Sequence, residues 1–233
     1  MFKLFKAEII EFLSSNFYFG DEESHISQIA PYNRLDLLKI TYSETDAFRK
    51  TTDAMDKAAE SGKMECLEYL SGMGAECTTR AMDGAAGNDH LKIVQWLLIN
   101  RNEGCSTEAM DSAAANGELD IVKWLHVNRL EGCTTGAMDE ASCGHLAVVL
   151  WLHENRNEGC TVAAMDKAAA CGYLDIVKWL HLNRTEGCDR ALVTATRNLE
   201  NKVVNYLVLH RLGLNRLQEA KAIQYPTSQP LKR

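Results

Sequence analysis

From about residue 51 onward the apolar and polar positions follow one short pattern, repeated. A copy opens with small apolar residues, as in Ala109-Met110-Asp111-Ser112-Ala113-Ala114. A glycine follows at Gly117, and then a longer run, Leu119-Asp120-Ile121-Val122-Lys123-Trp124-Leu125. The first stretch reads as a short helix from Ala109 to Ala115, whose alanines let it lie close to its neighbours. The second reads as an amphipathic helix from Leu119 to Asn128, with Leu119, Ile121, Val122, Trp124 and Leu125 over a broad arc and Asp120 and Lys123 opposite. So wide an apolar arc suits a helix that is covered on two sides. The pattern predicts an all-α chain of helix-turn-helix units.

The period is strict. Ala-Met-Asp begins at Ala54, Ala81, Ala109, Ala137 and Ala164, at intervals of 27, 28, 28 and 27 residues, and Ala191-Leu192-Val193 continues the phase. Tyr69, Trp96, Trp124, Trp151, Trp179 and Tyr206 keep the same step, so all four tryptophans share one repeat position. Short units of this kind cannot bury an apolar face alone and must stack. The tryptophan side is therefore expected to be hidden between modules, and Trp124→Ala to cost about 3 to 5 kcal/mol. Gly62, Gly117, Gly144 and Gly172 are placed to reverse the chain between the two helices, with Asp89 standing where a glycine is missing. Thr107 and Thr135 are candidate N-caps. The segment N-R-x-E-G-C at Asn100, Asn128, Asn155 and Asn183 closes each unit, its Asn suited to a left-handed cap and its Gly to a turn. The expected division is a degenerate N-terminal cap over 1–50, five repeats over 51–188, a degenerate sixth repeat with a C-terminal cap over 189–225, and a disordered tail over 226–233.

With Ala-Ala-x-x-(Gly/Asp)-His-Leu at Ala85 to Leu91, followed by a β-branched pair and large apolar residues, the unit resembles an ankyrin repeat over roughly residues 51–214. The wording W-L-H-x-N-R-x-E-G-C-T-x-x-A-M-D is similar to the short ankyrin-like repeats expanded in oomycetes. The resemblance implies an ankyrin-type solenoid that binds other proteins. At 27 or 28 residues the unit is shorter than the family's 33, which implies shortened inter-repeat loops without long β-fingers. The family's Thr-Pro-Leu-His opening is replaced by A-M-D, so Asp83, Asp111, Asp139 and Asp166 are expected near the positive end of the first helix, where they cap it. Carried over residue by residue, the binding positions are Thr79, Gly87, Asn88, Thr107, Ala115, Asn116, Thr135, Ser142, Cys143, Val162, Ala170 and Cys171.

Charge and composition narrow the function. The formal net charge is -7. Residues 211–233 hold five Lys/Arg and one Glu, which leaves -11 on residues 1–210. Such a body repels phosphate backbones and argues against nucleic acid. Met1 to Ser14 is interrupted by Lys3, Lys6, Glu8 and Glu11, so it does not read as a signal peptide. No stretch approaches the ~18 apolar residues of a membrane helix. A soluble, intracellular (cytoplasmic) monomer is expected.

Eight cysteines raise metal and redox chemistry. Five of them, Cys77, Cys105, Cys133, Cys160 and Cys188, occupy one repeat position and read as buried small residues. Helix axes stack ~8 to 10 Å apart and a disulfide needs Cα atoms within ~7 Å, so adjacent rungs are expected to be poor disulfide partners. No C-x2-C pair exists, so no metal site and no cofactor is expected. Cys133, His153 and Asp139 can be drawn as a thiol-hydrolase constellation, but His and Asp recur at the solenoid period, whereas a catalytic site is one asymmetric cleft. No catalytic residue is therefore assigned. The aspartate ladder could instead attract a partner with a basic surface, and the Arg/Glu ladder could pair across units. The leading expectation is a non-catalytic adaptor, scaffold or inhibitor. Its alternatives are an enzyme or metal/redox switch built on repeat-borne Cys and His, and a purely structural spacer.

Overall fold

A computed structural model describes residues 52–212 together with Ala30, Leu35 and Asp36. The expected N-terminal cap falls almost wholly outside the described residues, as do the part of the C-terminal cap beyond residue 212 and the tail. Among the described residues every regular element is a helix, and they come in pairs. The pairs are α1 (Asp53–Glu60) with α2 (Met64–Gly72), α3 (Thr79–Gly87) with α4 (Leu91–Asn100), and α5 (Glu108–Ala115) with α6 (Leu119–Asn128). They continue with α7 (Thr135–Ala141) and α8 (Leu146–Asn155), α9 (Val162–Ala170) and α10 (Leu174–Asn183), and α11 (Ala191–Arg197) and α12 (Asn201–Leu209). This is the all-α helical-repeat fold that the sequence pattern predicts. No described residue forms a strand between repeats.

The chain divides into two compact units, one of residues 1–113 with 123–132 and the other of 114–122 with 133–233. In the first, α1 packs on α2 and on α3, and α3 on α4. In the second, α7, α9 and α11 pack in succession, each also against its own partner helix, and α10 meets α12. The odd-numbered helices form an inner layer because their contact residues are small. Ala137, Met138 and Ala141 of α7 and Ala164, Met165, Ala168 and Ala169 of α9 are all buried. The even-numbered helices contribute the aliphatic layer, such as Val148, Val149 and Leu152 of α8 and Ile176, Val177 and Leu180 of α10.

The tryptophans depart from expectation. Trp96, Trp124, Trp151 and Trp179 are each half-buried, and the interior is filled by Ala, Met, Val, Ile and Leu. Alanine-lined inner helices leave a narrow gap between rungs, which admits a branched aliphatic side chain but holds the larger indole at the edge. Trp179 there meets the His153 ring edge-on, with centroids 5.0 Å apart.

The turns between paired helices are as expected. Gly62, Gly117, Gly144 and Gly172 all have positive φ, and Asp89 adopts φ 60° in their place. The glycine also solves a packing problem. A Cβ at Gly144 would lie 2.8 Å from Tyr173 Cζ, and one at Gly117 would overlap the His145 imidazole, so the residue after the next turn closes over the bare backbone.

Candidate protein-interaction face

Each repeat is closed by polar residues that serve the scaffold, and they must be assigned before any surface remains for a partner. The N-caps lie one residue earlier than expected. Thr78 Oγ1 accepts from Arg80 N at 3.1 Å, Ser106 Oγ from Glu108 N at 3.1 Å, Thr134 Oγ1 from Gly136 N at 3.0 Å, and Thr161 Oγ1 from Ala163 N at 3.0 Å. Thr135 is instead the first residue of α7, and Thr107 precedes α5 without being its capping hydroxyl.

Asp56, Asp83, Asp139 and Asp166 do not cap their own helices. They reach to the following repeat. Thr78 donates its amide and hydroxyl to the two Asp56 oxygens at 2.8 and 2.6 Å. Ser106 does the same to Asp83 at 2.8 and 2.8 Å, and Thr161 to Asp139 at 2.7 and 2.7 Å. One hydroxyl thus caps its own helix and donates to the carboxylate of the rung before. At the last such junction Asp189 replaces the hydroxyl residue, and Asp166 accepts only amides, from Asp189 at 3.1 Å and Arg190 at 2.9 Å. Burial pushes the Asp83 and Asp166 carboxyls up from their usual range, against the pull of these hydrogen bonds. Asp56, Asp83 and Asp139 are buried with their oxygens engaged, so these three offer a basic partner little. Sequence held the missing signal, because a Ser or Thr stands 22 or 23 residues after each of Asp56, Asp83, Asp111 and Asp139.

The N-R-x-E-G-C segment also differs from expectation. The Asn side chain donates to the tryptophan carbonyl four residues back, as Asn155 does to Trp151 O and Asn183 to Trp179 O, both at 2.8 Å. Positive φ falls on the glycines alone, at Gly104, Gly132, Gly159 and Gly187. The Arg/Glu pairs form within one repeat, two residues apart: Arg101 with Glu103, Arg129 with Glu131, Arg156 with Glu158 and Arg184 with Glu186. Each guanidinium also lies within electrostatic reach of the cysteine that opens its own repeat, as Arg101 does of Cys77 and Arg184 of Cys160. Burial raises Cys77, Cys105, Cys160 and Cys188 to about 11, which leaves little thiolate at neutral pH.

The thiol-hydrolase constellation does not assemble. Asp139 is bound to Thr161, His153 lies against Trp179 with Arg184 Nη1 3.5 Å from its Nδ1, and Cys133 is buried within electrostatic reach of Arg156. Among the described residues no three His, Cys, Asp or Glu side chains converge on a metal position. None of the helices described is long and apolar enough to cross a membrane.

The residues carried over as binding positions separate into three sets. Gly87 and Ser142 are buried, and Ser142 donates its hydroxyl to Met138 O at 2.7 Å, so neither offers a partner any surface. Thr79, Thr107, Thr135, Val162, Ala115 and Ala170 are half-buried. Asn88, Asn116 and Cys171 are exposed and Cys143 half-exposed, all at the position just before the turn glycine or its substitute. Cys143 and Cys171 are joined by a disulfide with Cα atoms 5.9 Å apart. The rung-spacing expectation fails here because it used helix axes, and the alanine-lined ends of α7 and α9 come closer than their axes. Exposed aliphatics, unremarked in the sequence reading, stand on the last turn of the outer helices: Ile99 and Val127 in the first unit (81% and 79% exposed), Leu182 and Leu209 in the second (78% and 77%).

Paired short helices, a small-residue inner layer and a side-chain inventory spent on joining rungs define a helical-repeat scaffold. The family model for ankyrin repeats, which occur in many copies, matches residues 55–98 and again 82–126, so that stretch carries ankyrin repeats. Ankyrin repeats are a protein–protein interaction module. No curated protein matches the chain closely enough to stand as a relative.

Proposed function

We propose that this chain is a non-catalytic adaptor, scaffold or inhibitor that engages a protein partner through the exposed ends of its inner helices. The observation that carries the reading is the division of labour among polar side chains. The Asp and Ser/Thr ladders are committed to holding rungs together and the Arg/Glu pairs to closing each repeat, whereas the position before the turn is exposed to solvent at Asn88, Asn116 and Cys171. A rigid frame that repeats one open position is suited to reading a surface, and its specificity then lies in which residue occupies each position. The carried-over positions include no Tyr, Trp or Arg, the usual material of strong binding hot spots, so modest affinity is expected. The acidic body makes nucleic acid a poor partner, and the reading takes the chain as a cytoplasmic monomer.

The test is affinity purification with the full chain beside an Asn88→Arg/Asn116→Arg variant whose helical signal is unchanged. A partner retained by the parent and lost by the variant supports the reading. Capture of the same partner by both chains places binding elsewhere and overturns it.

A further inference from the structure

The position before the turn is held in successive repeats by Ser61, Asn88, Asn116, Cys143, Cys171 and Asn198. Polar residues there have a plain use. Asn88 Nδ2 donates to Gly84 O at 2.9 Å, and Asn198 Nδ2 donates to Ala170 O at 2.7 Å, each capping a helix end. Two consecutive rungs give up that amide for cysteine. The pair differs from five of the other six cysteines, which lie inside the repeats and are buried, while Cys188 is partly exposed. Cys171 is exposed, Cys143 half-exposed, and their Cα atoms are 5.9 Å apart across 28 residues of chain.

We propose that Cys143 and Cys171 form a reversible dithiol–disulfide site that exchanges with small-molecule disulfides of the glutathione class and, when oxidised, staples α7 to α9. The exchange balances. The exposed Cys171 thiolate attacks one sulfur of the small disulfide, forms a mixed disulfide and expels one small thiolate. The Cys143 thiolate then attacks Cys171 Sγ, forming the internal bond and expelling the second small thiolate. The two protons lost by the protein thiols end on the two expelled thiols. Two electrons pass from the cysteine pair to the small disulfide, and the reverse sequence restores both thiols. The bond lies between the ends of adjacent inner helices, so oxidation ties α7 to α9 where reduction leaves two separate thiols. Five of the six remaining cysteines are shielded from this chemistry by burial, and the partly exposed Cys188 by a thiol raised to about 11, as are those of Cys77, Cys105 and Cys160.

The site exists whether or not the face binds a protein, and its test needs no partner. The full chain is reduced, pulsed with a thiol alkylator under native conditions, and mapped by mass spectrometry. Cys143 and Cys171 should label at least about tenfold faster than the other six. Incubation of reduced chain with oxidised glutathione should give a Cys143–Cys171 linked peptide within one chain, and a thiol reductant should abolish it. Cys143→Ser, which places at that position the residue found at Ser61, should stop at the first step and leave the small thiol bound to Cys171. Uniform labelling of all eight thiols, a link between two chains, or a Cys143→Ser chain that carries no bound small thiol would each overturn the proposal.

Discussion

Replacing Asp139 with alanine tests the rung-to-rung clamp most directly. Its carboxylate is 7% exposed and accepts the Thr161 amide and hydroxyl, both at 2.7 Å. Hydrogen bonds to a charged acceptor contribute about 1.5 to 3 kcal/mol each, and a stranded amide adds its desolvation cost. The Thr161 hydroxyl is exposed and can turn to water while still accepting from Ala163 N, so its share is partly recovered. Asp139→Ala is therefore expected to cost about 2 to 4 kcal/mol. Asp139→Asn keeps an acceptor for the amide and should cost about 1 kcal/mol. At Asp166, where the donors are two amides and the carboxylate is less buried, alanine should cost no more than about 2 kcal/mol. The assay is urea unfolding of the full chain followed by tryptophan fluorescence and helical signal, with Thr161→Val completing a double-mutant cycle. The two side chains share one hydrogen bond, so the cycle should show a coupling of about 1 kcal/mol. An Asp139→Ala chain within about 0.5 kcal/mol of the parent, or strictly additive single changes, would refute the clamp.

Four further outcomes follow from the geometry. Leu125, 1% exposed, should lose about 2 to 5 kcal/mol on truncation to Ala, and half-buried Trp124 less; the reverse order in denaturant melts would contradict the aliphatic interior. Gly117→Ala places a Cβ into the His145 ring at φ 83°, whereas Gly187→Ala at φ 74° meets nothing within 4 Å. The second should cost about 1 kcal/mol from backbone strain alone and the first clearly more, as thermal melts would show. Glu131 is held below the usual carboxylate range by its hydrogen bonds from Arg129, so its contribution is present above the unfolded value of about 4.3 and is lost as pH falls through the lower folded value. Glu131→Gln should therefore lower stability at pH 7 and shrink the loss on acidification, and an unchanged acid limb in pH-dependent melts would contradict this. Cys105, raised to about 11 by burial, should resist alkylation at pH 8 in the native chain and react freely once unfolded.

The strength of the repeat in the sequence made the fold legible before any coordinates. Ala-Met-Asp and the Trp/Tyr position recur at one period, so unit length, the pairing of helices and the turn at Gly62, Gly117, Gly144 and Gly172 could all be read from spacing. The candidate face was legible only as a set of positions. Gly87 and Ser142 look as available as Asn88 in a one-dimensional copy of the pattern, because the faces of a helix seven to nine residues long are separated by rotation about its axis, which neighbouring rungs decide.

What the sequence determined by itself is everything local to one repeat: its helices, its turn and its length, which follow from propensity, glycine and periodicity. Tertiary structure alone decided what passes between repeats. Asp139 bonds Thr161 rather than its own helix, Trp179 lies half-buried against His153 of the preceding repeat, and Cys143 and Cys171 meet. Each outcome depends on how closely alanine-lined helices approach, and that distance arises only when one rung has another to lie against.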